Sequence, residues 1–447
     1  MGSVKLAGRV AAALTVVALV AAGCGSSSKK ALTSPSSATG ATSSAGPSAS
    51  TGSKSADIAS APGVTATTIK IGLLTSITGA ASSTFSTSAL GAKAYFDAVN
   101  KAGGIDGRQI QLVTADDLSS PSGALTATED LIRQGVFAII SVSSFFYGAY
   151  RAAQKAGIPV LGGGFDGPEW GQKPNTNMFA FLGGVDPDHS VVGAGLAAAE
   201  MFKSIGVHNV AGLAYGISPS SISSVQDLKT AVGNIGLKMG YENLSLPFGS
   251  SDVGPEVLAI KGAGADMVVC ACVQSTVLAL VTGLKQGGSD AKSLSTASAD
   301  SSLFSDPSAA AAAQGVYYAS QIPPLDIGDS AATTLENNLK AVEPSYVTGT
   351  YPTYGISTAY LSAALTVKGL QVAGQNPTRT SYIADLAKVT DWSANGLLAG
   401  PVSFNHFGTS EKNYCSFYVH VAGHAFVQVP GGNGPDGAFC QKLPSDL

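Results

Sequence analysis

The chain has 447 residues, more than one hydrophobic core usually serves, so two domains are expected. Only 12 % of its residues are charged, against roughly 25 % in ordinary domains, so the surface must lean on neutral polar side chains. From Val64 onward 28 acidic residues stand against 20 basic ones, and an acidic body without a basic stripe argues against a nucleic-acid partner.

The first element is a leader. Lys5 and Arg9 precede an apolar run from Val10 to Ala22, broken only by Thr15, which is too short to span a bilayer and fits the core of a secretory signal. Val20-Ala21-Ala22-Gly23-Cys24 resembles a lipobox, in which the final cysteine is acylated and the chain is cut before it. Residues 1–23 are therefore expected to be a lipoprotein signal peptide, with Cys24 as the lipidated N-terminus on the extracytoplasmic face of the membrane. The plainer alternative is an ordinary signal peptide with an incidental cysteine. Residues 24–63 follow as a tether: 33 of the 39 residues from 25 to 63 are Ser, Thr, Ala, Gly or Pro. No later stretch reaches 18 apolar residues, so the mean hydropathy of +0.24 comes from Ala and Val rather than from spans.

From Thr68 short β-branched runs alternate with alanine-rich ones. Strands are expected at 68–75, 109–117, 136–141 and 158–162, with helices at 88–103, 121–134 and 150–157 between them. After Asp186-Pro187-Asp188 the alternation restarts, with helices at 191–204, 221–233, 253–263 and 275–287 and strands at 209–215, near 241–246 and at 266–271. Strand then helix, repeated, means an α/β fold of parallel sheets, here in two similar lobes. Ligands of such sheets bind at the carboxyl ends of the strands.

Four cysteines remain after Cys24, and four thiols allow three pairings. Cys415 and Cys440 flank a segment of hairpin character, where a disulfide would staple the C-terminal tail. Cys270 and Cys272 lie in a run that reads as a buried strand, where they are expected to be two small apolar thiols.

The segment 72–117 resembles the opening of the substrate-binding proteins of branched-chain amino acid ABC transporters, with the type I periplasmic binding protein fold. It combines a strand ending in Ser76, Thr78 and Gly79, a helix carrying Gly91-Ala92-Lys93 and an aromatic, the turn AGGIDGR at 102–108, and a strand closed by two aspartates. Further likeness runs through 157–170, 257–269 and 401–408. The resemblance implies two Rossmann-like lobes joined by a three-strand hinge, with crossings near 187, 322 and 411. The first lobe would hold 64–187 and 322–410, the second 188–321 and 411–430, and 431–447 would form a tail.

It also implies a cleft. Ser76 and Thr78 follow the first strand and suit contacts to a polar ligand group, or cap a turn. Ser141, Ser143 and Ser144 follow the third strand, and in the family the matching serines receive a ligand carboxylate. Phe165 and Asp166 stand where the family has a small residue and a threonine that bind an amino acid's ammonium, a departure that puts small aliphatic amino acids in doubt. Tyr215 ends a strand of the second lobe, Gln274 stands where the family places a covering aromatic, and Asp300 matches an acid that pairs with the ammonium. Asp166 or Asp300 alternatively caps a loop or helix.

Gly432 to Gly437 formally fits the dinucleotide-binding glycine pattern, but Pro435 and the lack of a following helix remove its context. His420 and His424 fall on a strand and a turn, not one helix face, so no metal site is expected. No nucleophile has a positioned base, and no cofactor or catalysis is expected. The chain thus reads as the lipid-anchored receptor of an ABC importer, capturing an amino acid or related polar solute by hinge closure and meeting its permease subunits. A sensory receptor for the same kind of solute is the alternative, and an enzyme a lesser one.

Overall fold

The alternation produces two sheets in the computed structural model, which describes residues 61–170, 174–182, 193–297, 299–405 and 415–440. Cys24 and the proposed leader lie outside the described residues, as do the expected crossings near 187 and 411. The expected tether ends sooner than residue 63: Ala61 packs on the first core, and Gly63 accepts the Lys70 N–H through its carbonyl.

In the first lobe the chain runs β1 (Thr68–Thr75), α1 (Ser82–Phe85), α2 (Ser88–Lys101), β2 (Gln109–Asp116), α3 (Pro121–Arg133), β3 (Ala138–Val142), α4 (Tyr150–Lys155), β4 (Val160–Gly162) and β5 (Met178–Ala180). These strands form one parallel sheet in the order β2-β1-β3-β4-β5. The sheet is buried under helices, so β3 reads as an unbroken run of buried residues rather than an alternating one.

The second lobe comprises α5 (Gly193–Ser204), β6 (Asn209–Tyr215), α6 (Pro219–Asn234), β7 (Lys238–Leu246), α7 (Gly254–Ala263), β8 (Met267–Ala271), α8 (Gln274–Gln286), β9 (Lys292–Ser295), α9 (Pro307–Ala312) and β10 (Tyr317–Ser320). The chain then returns to the first lobe as α10 (Ser330–Val342), α11 (Tyr354–Ala373) and α12 (Arg379–Leu386), and α11 packs along α2 and against β3 and β4. It ends on the second sheet as β11 (Cys415–Ala422), β12 (Ala425–Gln428) and β13 (Phe439–Cys440). That sheet runs β12-β11-β10-β9-β8-β6-β7, parallel through β10 and antiparallel beyond, with β13 paired to β11. Both lobes lie within one compact unit, residues 55–447.

Helix starts follow their sequence signals. Ser120, Ser218 and Asp306 each precede a proline and accept a backbone N–H one turn on, satisfying a donor the helix leaves open. α11 is buried along most of its length although it carries hydroxyls, because Ser362 and Thr366 donate to the carbonyls of Thr358 and Ser362 one turn back. No helix among the described residues is long and apolar enough to cross a membrane.

Two expectations change. Cys270 and Cys272 are bonded to each other rather than free. The same-face placement was right, but β8 ends at Ala271, and the bend there brings their Cα atoms to 5.1 Å, within bridging range. Cys415 and Cys440 also form a disulfide, and β13 makes the chain up to Cys440 part of the second sheet rather than a tail beyond it.

Candidate functional site

The carboxyl ends of strands from both sheets converge on a cavity of about 360 Å³. Phe165 follows β4, Ser144 follows β3, Tyr215 ends β6, Val273 follows β8 and Gln321 follows β10; all line it. Parallel strands place these residues together because every crossover returns the chain to the same edge.

Aromatic rings form the first lobe's wall. Phe85 stacks on Phe165 with centroids 6.1 Å apart and planes 3° from parallel, and Tyr354 meets both edge-on at 5.9 and 5.3 Å. Facing them, Tyr215 packs on Phe248 at 4.7 Å. The Tyr215 hydroxyl donates to Thr276 Oγ1 at 2.7 Å and accepts the Val273 N–H, which fixes the ring at the mouth of β8. Burial pushes that phenol above its ordinary range.

The lobes touch across the cleft. Phe145 lies 5.9 Å from Phe248, and the Tyr147 hydroxyl donates to the Ile217 carbonyl at 3.2 Å. Such a bond contributes about 1 kcal/mol, enough to change an open-to-closed ratio roughly fivefold. Tyr147→Phe is therefore expected to enlarge the radius of gyration in small-angle scattering; superimposable curves would show that this bond does not hold the lobes together.

Of the residues singled out from sequence as solute contacts, Ser144, Phe165 and Tyr215 line the cavity and the others do not. Ser76 is wholly buried beneath the first loop beside Asp117. Thr78 donates its hydroxyl to Asp116 Oδ2 at 2.7 Å, and its N–H goes to Oδ1. Desolvation raises the Asp116 carboxyl a little, but the Thr78 hydroxyl and the N–H groups of Leu118, Thr78 and Ile77 outweigh it and hold the group below its usual range. Ser143 donates to buried Asp117 and accepts the Phe145 N–H, so it braces the loop that presents Ser144. Gln274 donates to the Tyr318 hydroxyl at 2.7 Å. Asp300 caps the turn Ser301–Ser305 by accepting the Ser302 N–H, and burial raises its carboxyl.

Asp166 is the largest departure from expectation. Its side chain turns into its own loop, 1 % exposed, where Oδ1 accepts the Trp170 indole N–H at 2.7 Å. Burial first, then the neighbouring Glu169, pushes its carboxyl well above the carboxylate range. The unfolded chain would ionise Asp166 near pH 4, whereas the folded chain holds the proton longer. The stability this group contributes is thus complete below that value and lost as pH rises from there through the folded value. Asp166→Asn keeps an acceptor for Trp170 but cannot ionise, so its melting temperature should fall less than the wild type's between about pH 4 and pH 7. Parallel profiles would mean that Asp166 ionises freely in its loop.

Gln321, Tyr354 and Phe85 are among the lining residues that the sequence reading did not single out. Gln321 obeys the rule that residues just past a strand face the cleft, and applying it to β10 would have found it. Tyr354 begins a helix far along the chain, and Phe85 belongs to a short one; neither carries a local sign. Thr358 donates to Gln321 Oε1 at 3.0 Å, which orients the amide. No group of three or more metal-ligating side chains exists among the described residues.

Residues 68–422 match the model of the periplasmic binding protein family. The chain belongs to that family. It is 26 % identical over 231 residues to a leucine-, isoleucine-, valine-, threonine- and alanine-binding protein of Pseudomonas aeruginosa, a match that takes in 51 % of this chain and 60 % of the relative. A leucine-binding protein from Thermotoga maritima superimposes with a TM-score of 0.67 at 16 % identity, over 85 % of this chain and all of that one. A fatty acid ABC transporter substrate-binding protein from Thermomonospora curvata gives 0.66 at 18 % identity, over 85 % of this chain and 92 % of that one. These structures share the α/β architecture of two lobes. In this periplasmic binding protein the cavity therefore sits where the two sheets present their carboxyl edges to each other.

Proposed function

We propose that this periplasmic binding protein is the lipid-anchored, extracytoplasmic receptor of an ABC importer. It takes up a solute of about the size of an apolar amino acid between its lobes and passes it to the permease. The observation that carries the reading is the cavity itself, walled by both sheets and bridged by Tyr147 and Phe145. Its volume falls at the small end of the range for ligand sites. Solute contact is assigned to Ser144, Phe165, Tyr215, Tyr354 and Gln321.

A ligand that touches both walls binds the closed form more tightly than the open one, and this difference drives closure. The 26 % identical Pseudomonas aeruginosa relative is named as an amino acid-binding protein, which supports a small organic solute as cargo. The lipid anchor rests on the Cys24 motif, and the tether would let the body reorient at the surface. In cells, Cys24→Ala should move the protein out of the membrane fraction and abolish uptake of the solute while purified protein still binds it. Undiminished uptake by a strain lacking the protein would overturn the receptor reading.

A further inference from the structure

We infer that the Cys270–Cys272 disulfide is a redox-reactive site that opens on the cleft, and that its reduction by a small dithiol releases Tyr215 from the cleft wall. The consequence for solute capture rests on the receptor reading above; the chemistry does not.

This bond has little to staple. One residue separates the two cysteines, so the bond closes almost no chain, whereas Cys415–Cys440 spans a separation of 25. Its position says more. Cys270 belongs to β8 and is 1 % exposed, while Cys272 stands just past the strand, is 6 % exposed and lines the cavity together with Ala271 and Val273. A reagent therefore meets Cys272 first, and meets it from the cleft.

The corner that the bond fixes holds Tyr215 by two routes. The Val273 N–H donates to the Tyr215 hydroxyl at 3.2 Å. The Ser221 hydroxyl donates to the Ala271 carbonyl at 2.6 Å and accepts the Tyr215 N–H at 2.9 Å. When the bond breaks, the two sulfurs must separate to van der Waals contact, and the corner between them has to open. An acceptor already stands in place for the thiol so formed: the Leu213 carbonyl oxygen, two residues before Tyr215 on β6, lies 4.0 Å from Cys272 Sγ.

The step is a thiol–disulfide exchange. One thiolate of the dithiol attacks Cys272 Sγ; the bond to Cys270 breaks, and Cys270 leaves as a thiolate that takes up a proton. The second thiolate of the dithiol then attacks its own sulfur in the mixed disulfide, and Cys272 leaves and is protonated in turn. The dithiol ends as a cyclic disulfide, its two electrons and two protons carried by Cys270 and Cys272.

The test treats the full chain with dithiothreitol in the absence of denaturant, traps thiols with iodoacetamide, and reads the peptides by mass spectrometry alongside hydrogen–deuterium exchange. Cys270 and Cys272 should both be labelled while the far-ultraviolet circular dichroism holds. Exchange over residues 213–218 and 271–276 should quicken roughly tenfold, with β1 unchanged. Cys270→Ala combined with Cys272→Ala, which keeps Cys415–Cys440, should show the same quickening without reductant. Labelling that requires denaturant would overturn the open site. Labelling with unchanged exchange over both segments would overturn the hold on Tyr215, and a double variant that exchanges like the oxidised chain would assign the change to Cys415–Cys440 instead. All of these leave the receptor reading in place, since that stands or falls on uptake by the deletion strain.

Discussion

Gly91→Ala is expected to destabilise the first lobe by on the order of 3 kcal/mol, although alanine at an ordinary helical position is worth about 1 kcal/mol more than glycine. A Cβ built on Gly91 would lie 2.0 Å from the Ile356 carbonyl oxygen and 2.8 Å from its carbon. Those are backbone atoms of α11, so no side chain can swing aside, and α2 and α11 would have to part. Both helices are otherwise buried against each other, and Tyr354 stands two residues before the collision. The loss should therefore appear in urea unfolding and also as weaker solute binding. A stabilised variant would show that the helices do not approach as closely as this.

Removing the Cys415–Cys440 disulfide should cost about 3 to 4 kcal/mol, from the chain entropy released when a loop with a sequence separation of 25 is opened. The bond clamps β13 to β11, and Phe439 beside it is buried against Tyr418 at 5.9 Å. Cys415→Ser combined with Cys440→Ser should therefore lower unfolding free energy and expose the C-terminal segment to protease. Cys270 and Cys272, two residues apart, close almost no chain, so reductant should destabilise this double variant much less than it destabilises the wild type. Equal effects of reductant on both proteins would shift the weight to the Cys270–Cys272 bond.

Much of this architecture was legible in the residues. The alternating runs located four of the five strands of the first lobe within about two residues, because a buried parallel strand must be apolar on both faces, but not the three-residue β5. The glycine in Gly91-Ala92-Lys93 belonged to a recognisable family motif, but its reason is the backbone of Ile356 passing over it, some 265 positions along the chain. Thr78 and Ser143 show the limit of the loop rule. A hydroxyl after a strand can turn outward to a ligand or inward to a carboxylate, and Asp116 and Asp117 took these two.

The sequence by itself determined the α/β class, the two sets of alternating elements, and the edge at which a site would form. These follow from periodicity and composition, which are local. Only the tertiary structure decided which side chains enter the cleft. Asp166 was drawn inward by the Trp170 N–H and Asp300 by the Ser302 N–H, while Gln321 and Tyr354 arrived from the end of β10 and from α11. The reason is that a side chain's direction is settled by whichever hydrogen-bond partner lies nearest after packing, as Thr358 on α11 orients the Gln321 amide by donating to its Oε1.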